Sequence, residues 1–200
     1  MRGLYLNART DPAVRLSPRW LYYLGRRATN TVNEDSGAEP RAVLDAILTA
    51  GCAEEAAWPY PPYPSQFANS KPYEPPASVG ENAKLHIIAS YTRIVDGERG
   101  IKTALANNQL VALGAPWYYE WEDVGTDGKL KKVNCRSVVA GGHETYLYGY
   151  DDSVKLFLGS NSWGNQWGNH GRYMMPYSSL NAFKTKGGYD AHTVVLTWTK

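Results

Sequence analysis

The side chains best suited to proton transfer lie between Gly141 and Gly171, in GGHETYLYGYDDSVKLFLGSNSWGNQWGNHG. His143 opens a run that alternates in the manner of a β-strand. A turn-rich Tyr150-Asp151-Asp152-Ser153 follows, and a second apolar run, Val154 to Leu158, leads into Asn161-Ser162-Trp163-Gly164. Two strands joined by a short polar turn pair antiparallel. With His143 at the start of the first and Asn161 at the end of the second, both side chains come to the same end of the hairpin. An amide facing an imidazole accepts one ring N–H and leaves the other nitrogen open to exchange a proton. The expected separation is that of a hydrogen bond, about 2.7–3.2 Å, with the Trp163 indole covering the pair. A lone histidine here, or an isolated Asn-Ser or Trp-Gly pair, is equally ordinary turn material.

The order and spacing of the whole string say more. Gly-Gly-His, Gly-Tyr-Asp-Asp, Asn-Ser-Trp-Gly, a second Trp-Gly at Trp167 and then Gly171 resemble the C-terminal half of the papain-like cysteine peptidases. Their signature there is Gly-His-Ala-Val, Gly-Tyr-Asp, Asn-Ser-Trp-Gly, Trp-Gly and Gly-Tyr. The resemblance implies that His143 is the general base and acid, and that Asn161 holds its tautomer and ring plane. Trp163 would shield that pair, Trp167 would brace the loop, and the backbone at Gly142 and Glu144 would contact a peptide. One departure stands out: the usual small residue after the histidine is Glu144 here.

The elements that must position these residues follow along the chain. Leu16-Ser17-Pro18-Arg19-Trp20 reads as a helix start, with Ser17 as N-cap and Pro18 in the first turn. Leu21, Tyr22 and Leu24 give that helix a buried side. Met1 to Ala8 has the look of a helix end, broken at Arg9-Thr10-Asp11-Pro12. In the resembled family a Leu-Ser helix follows the long helix whose N-terminus carries the nucleophilic cysteine, with an oxyanion-hole glutamine shortly before it. By the family's spacing both positions fall before Met1, because no Cys precedes Cys52 and no Gln precedes Gln66. The resemblance therefore implies that the chain begins inside the nucleophile helix and is inactive alone.

Ser36 and Glu39 form a capping-box pattern ahead of a helix over Arg41 to Gly51, with Val43, Leu44, Ile47 and Leu48 on one face. Gly51 ends it. Cys52 then precedes Trp58-Pro59-Tyr60, an order the family shares, and the family treats the Cys52 position as structural or free. Residues 58 to 80, WPYPPYPSQFANSKPYEPPASVG, read as an extended, helix-free surface loop crossing between two lobes; a ligand for a proline-recognition domain is the other reading. Lys84 to Val95 reads as a strand. Asp96 is placed to cap a helix over Gly97 to Asn107, ended by a left-handed Asn107 or Asn108. Leu110 to Ala115 is a buried strand that Pro116-Trp117-Tyr118-Tyr119 leaves. In relatives that strand lines the specificity pocket, with Gly114 nearest the matching position. Gly125-Thr126-Asp127-Gly128 is a turn, and Ala191 to Thr199 alternates as a strand.

Together these predict an α+β chain. Residues 1–75 form a helical part with an interlobe loop, and residues 76–200 a β-rich part carrying His143 and Asn161. The resemblance implies the papain layout: an incomplete helical left lobe, an antiparallel, barrel-like right lobe, and a peptide or protein substrate in the cleft between them.

Composition bounds the alternatives. The chain has 200 residues, 20% of them charged, and a net charge of +2, which is globular composition without a basic face for nucleic acid. No apolar run reaches the roughly 18 residues of a membrane span, and Met1 to Tyr5 lacks the apolar core of a secretory signal. Two cysteines make no disulfide framework, and Cys52 and Cys135, assigned to different lobes, are expected to stay unpaired. The histidines His86, His143, His170 and His192 show no ligand spacing, so neither metal nor cofactor is implied. The 15 Tyr and 7 Trp suit a peptide groove, a sugar surface or a core. Three functions fit: a cysteine peptidase whose cysteine lies outside this chain, a catalytically dead relative that binds peptide or protein, and an aromatic carbohydrate-binding domain. The last predicts a flat row of exposed rings.

Overall fold

The structure is a computed structural model and describes residues 14–60 and 74–196. The expected helix end at Met1 to Ala8, the middle of the proline-rich stretch and the last residues of the C-terminal strand lie outside the described residues. Contacts divide the chain into two compact units, Met1–Tyr91 with Val195–Lys200, and Thr92–Val194.

The first unit is helical. Helix α1 (Pro18–Ala28) starts where Ser17 accepts a hydrogen bond from the Trp20 N–H at 3.1 Å, with Pro18 in the first turn. The same hydroxyl donates to the Trp58 carbonyl at 2.7 Å, so one buried serine caps the helix and anchors a distant loop. Trp20, Tyr23 and Trp58 pack with ring centroids 5.7–6.2 Å apart. Helix α2 (Pro40–Ala50) buries Val43, Leu44 and Ile47 and ends at Gly51, whose φ is +74°. Its N-cap is Glu39, with no side-chain hydrogen bond, so the capping box expected from Ser36 and Glu39 does not form. Pro40 supplies the start instead, because its fixed φ and missing N–H suit a first turn.

A further correction is helix α3 (Ala77–Ala83), followed by a 3₁₀ turn, Lys84–His86. Both lie where proline density and alternation predicted a loop and then a strand. Prolines stop at Pro76, which occupies the N-cap, so their effect is to start the helix. Strand β1 is accordingly shorter, Ile88–Arg93.

The second unit is built on an antiparallel sheet. Helix α4 (Gly97–Ala106) runs into β2 (Val111–Tyr118), β3 (Val139–Asp151), β4 (Leu156–Ser160), β5 (Arg172–Pro176), helix α5 (Ser179–Lys184) and β6 (Asp190–Leu196). The strand order is β1-β6-β2-β3-β4-β5; Thr92 and Arg93 of β1 belong to this unit. Asp96 stands at the N-cap of α4 but makes no capping hydrogen bond; its carboxylate pairs with Arg99 at 3.1 Å. After α4 the chain turns at Asn108, φ +58°, one of the two asparagines expected there. The core gathers Val111, Leu113, Leu147, Phe157, Tyr173, Phe183 and Trp121. The fully buried Trp121 donates its indole N–H to the Lys131 carbonyl at 2.9 Å.

Candidate active site

His143 lies in the fifth position of β3, opposite Ala115 of β2. The strand begins four residues before the expected start because Val139 pairs with Tyr118. The hairpin turn has the four residues expected but sits two positions later, at residues 152–155, so β4 begins at Leu156. Tyr146 pairs with Ser160, which brings Asn161, the next residue, to the His143 end. Tight packing fixes this approach: a Cβ on Gly159 would sit 2.2 Å from the Tyr173 ring, so only glycine lets β4 lie against β5 there.

The Nε2 of His143 is 2.8 Å from Oδ1 of Asn161. The same oxygen accepts the Ser162 backbone N–H at 2.7 Å, and the Asn161 N–H donates to the Gly171 carbonyl at 2.8 Å. A backbone N–H only donates, so the atom it meets is the amide oxygen. Toward His143 that oxygen also only accepts, which makes Nε2 the protonated ring nitrogen and puts the lone pair on Nδ1. Among the described residues no hydrogen bond reaches Nδ1. Burial lowers the pKa of His143 below the ordinary imidazole value, while the bond to Asn161 works the other way.

Tryptophans wall the pair. Trp163 is tilted against the imidazole at 5.0 Å and Trp117 meets it edge-on at 4.8 Å. Trp117 also contacts Trp163 at 5.6 Å, Trp121 at 5.1 Å and Trp167 at 6.0 Å. The Trp167 indole N–H reaches the Glu122 carbonyl at 3.0 Å, tying the loop after Asn161 to the end of β2. Trp167 is buried, whereas Trp163 stays 40% exposed and covers the imidazole from the solvent side.

Trp117 is the residue that sequence reasoning missed. The sequence pattern ends the strand before Pro116, yet β2 runs on to Tyr118. Strand β6 pairs with β2 only from Ala112 to Gly114, so the missing N–H of Pro116 falls outside that ladder, where proline is tolerated. Extending the two-residue alternation from Ala115 past Pro116 would have placed Trp117 on the face of His143.

The substrate-side residues separate by face. Gly142 is opposite Pro116, and Gly114 is opposite Glu144 on one side and Asp190 on the other. Glu144 therefore points to the face opposite His143. Burial first, and the charge of Asp190 second, push its carboxyl up to about 8.

Neither cysteine is paired: Cys52 is buried and Cys135 exposed. Burial drives the Cys52 thiol far up, so it stays protonated and unreactive. Among the described residues no three His, Cys, Asp or Glu side chains converge as metal ligands, and no helix is long and apolar enough to cross a membrane.

The structure thus brings His143 and Asn161 together as a hydrogen-bonded pair at the end of a β-hairpin, walled by tryptophan. Residues 26–187 match the papain family cysteine proteases, and the chain belongs to that family. Xylellain, a cysteine protease from Xylella fastidiosa, superposes with a TM-score of 0.78 at 27% identity, covering 96% of this chain and 73% of its own. The bromelain protease from Ananas comosus, at 16% identity and TM-score 0.62, covers 97% of this chain and 83% of its own, and shares the fold. An uncharacterized peptidase C1-like protein, L477, of Acanthamoeba polyphaga mimivirus is 29% identical over 168 residues. Those residues are 79% of this chain and 52% of L477, so the match spans about half the length of that relative. The fold is thus papain-like, α+β with an antiparallel sheet.

Proposed function

We propose that the chain is the base-bearing part of a cysteine peptidase that hydrolyses peptide bonds with a Cys/His/Asn site. His143 and Asn161 belong to this chain, and the cysteine belongs to a segment N-terminal to it. The observation that carries the reading is the double acceptance by Asn161 Oδ1, which puts the lone pair of His143 on Nδ1, where no hydrogen bond from the described residues reaches it. Cys52 is a poor nucleophile because its buried thiol holds its proton.

In the reaction, Nδ1 of His143 takes the thiol proton and the resulting thiolate attacks the peptide carbonyl carbon. The imidazolium returns that proton to the departing amine as the C–N bond breaks, leaving a thioester. Water then attacks the thioester while Nδ1 takes its proton; collapse releases the carboxylic acid and the thiol. Asn161 keeps the ring plane fixed throughout, and Trp117 and Trp163 keep water from competing for the Nε2–Asn161 bond. Gly114, Gly142 and the Glu144 backbone are assigned to substrate contact.

The test compares residues 1–200 with a polypeptide extended through the coding sequence upstream of Met1. Both are assayed on a general fluorogenic peptide. Turnover in the extended form alone is the expected result. Silence in both favours a dead relative that only binds peptide, and turnover by the short chain that is lost in Cys135→Ala would show that the nucleophile has been misplaced. The carbohydrate reading needs a flat row of exposed rings: Trp163 is exposed, but Trp167, Trp117 and Trp121 are buried in one cluster.

A further inference from the structure

We infer that the Glu144 side chain selects the substrate, receiving a lysine or arginine side chain that the peptide carries at the scissile residue or at the one before it. The inference rests on the peptidase reading above.

Glu144 adjoins His143 on β3, with Cα atoms about 3.8 Å apart across a trans peptide, but its side chain emerges on the other face of the sheet. The register sets Glu144 opposite Gly114, and Gly114 opposite Asp190. Two carboxyl groups thus stand on one face, roughly 10 Å apart at the backbone, with a residue lacking a side chain between them. Their charges are answered differently. Asp190 holds Arg93, Nε to Oδ1 at 2.8 Å, and its Oδ2 lies 3.8 Å from Nε2 of His192. Among the described residues no cation pairs with Glu144, and its Oε2 is shut off from solvent without a hydrogen-bond partner.

A buried carboxyl in that state is costly, and the cost is recovered only when a donor or cation reaches it. The way in is along β3. Strand β4 pairs with β3 only from Tyr146 onward, so at residues 141–144, on the edge away from β2, no strand of the described residues pairs with β3. Gly141 and Gly142 are exposed, with nothing within 4 Å of where a Cβ would be. An extended peptide advances about 3.4 Å per residue. One laid on this edge with its carbonyl at His143 therefore brings a neighbouring side chain to Glu144. A cation there gains a partner that water cannot supply. An apolar side chain would leave the carboxyl stranded, which is discrimination by an unpaired polar group.

The first arm of the test uses the upstream-extended polypeptide and matched fluorogenic peptides. These carry lysine or norleucine at the scissile residue or at the one before it. At one of the two positions the lysine peptide should exceed the norleucine peptide in kcat/KM by about tenfold or more. The isosteric Glu144→Gln should bring that ratio close to one. Arg93→Gln, which releases Asp190, should raise it. A wild-type ratio at or below one at both positions, or a ratio unmoved by Glu144→Gln, overturns the inference.

The second arm measures binding of the same peptides to residues 1–200 by calorimetry, in two buffers of different ionisation enthalpy. The lysine peptide should bind more tightly than its norleucine match and release a proton at pH 7, and both effects should vanish in Glu144→Gln. If no peptide is turned over in the first arm, the peptidase reading fails. The second arm then still decides Glu144: lysine-selective, proton-releasing binding upholds it, and equal binding of the two peptides overturns it.

Discussion

Each unit holds a histidine with one ring nitrogen bonded to a side-chain oxygen at almost the same distance. In the helical unit, His86 Nε2 lies 2.9 Å from Glu54 Oε1. Its main-chain carbonyl takes the Cys52 N–H at 3.1 Å, and the ring is nearly inaccessible. In the sheet unit, His143 Nε2 lies 2.8 Å from Asn161 Oδ1, beside a half-exposed tryptophan. The difference lies in the acceptor. A carboxylate makes an ion pair with the ring whenever it is protonated and serves to fasten the 3₁₀ turn to the loop at Glu54. A neutral amide orients the ring and favours its proton less than a carboxylate does, as a group that must pass protons in both directions requires. Similar distances thus accompany different roles, and the chemistry of the partner separates them.

Deleting each imidazole separates the two histidines most clearly. In the upstream-extended polypeptide, His143→Ala should lower kcat by about a thousandfold or more with little change in thermal midpoint. His86→Ala should do the reverse, lowering stability by about 1–3 kcal/mol as Glu54 loses its partner, with a far smaller effect on kcat. Peptide turnover and thermal unfolding on the same preparations decide it. Equal loss of kcat in both variants would erase the distinction.

The next effect sharpens the role of the amide. Asn161→Ala should lower kcat about 10- to 100-fold, part of what a positioned acid–base group contributes. In residues 1–200 it should also shift the NMR titration of His143 further down, because the bond it removes opposes the lowering by burial. Asn161→Asp should move the titration up, since a carboxylate favours imidazolium. An unmoved midpoint in both would mean that Asn161 does not hold the ring.

Smaller effects come from pH. The folded-state pKa of His143 is depressed, so the unfolded chain takes up its proton first. The contribution of this residue to stability is therefore complete above about pH 6.5 and falls as pH drops through that value. Glu144 gives the opposite trend. Its carboxyl is raised from 4.5 to about 8, so between those values the folded chain binds the extra proton. Stability is lost as pH rises through that window, and Glu144→Gln should remove the loss. The variant should melt a few degrees above the wild type at pH 8, where about 1 kcal/mol corresponds to roughly 2–4 °C, and nearly with it at pH 5. No divergence between the curves would place the carboxyl in water.

Much of this site is legible from sequence because it is local. Ser17 and Pro18 announce a helix start, and the hairpin spacing brings His143 to Asn161 without knowledge of any other strand. What escapes is what depends on partners distant in sequence. Trp117 reaches His143 only through the pairing of β2 with β3, and a proline in the way hides the continuation of the strand. Helix α3 is masked by the prolines that initiate it. Glu144 is visible as a departure from a family pattern. Its buried, unpaired oxygen and its neighbour Asp190, 46 positions later by residue number, follow only from the three-strand register. Pro40 likewise outweighs the Ser36 and Glu39 pattern, since one fixed dihedral decides where α2 begins.

The central claim is that His143 serves a cysteine other than the two present here. The most direct measurement is the site of covalent attachment of a thiol-directed peptidase inhibitor in the upstream-extended polypeptide, mapped by peptide mass spectrometry, with His143→Ala alongside. A single adduct is expected on a cysteine N-terminal to these 200 residues, formed at least about tenfold more slowly in the variant, because thiolate formation depends on the imidazole. An adduct on Cys52 or Cys135, or equal labelling rates with and without His143, would contradict it.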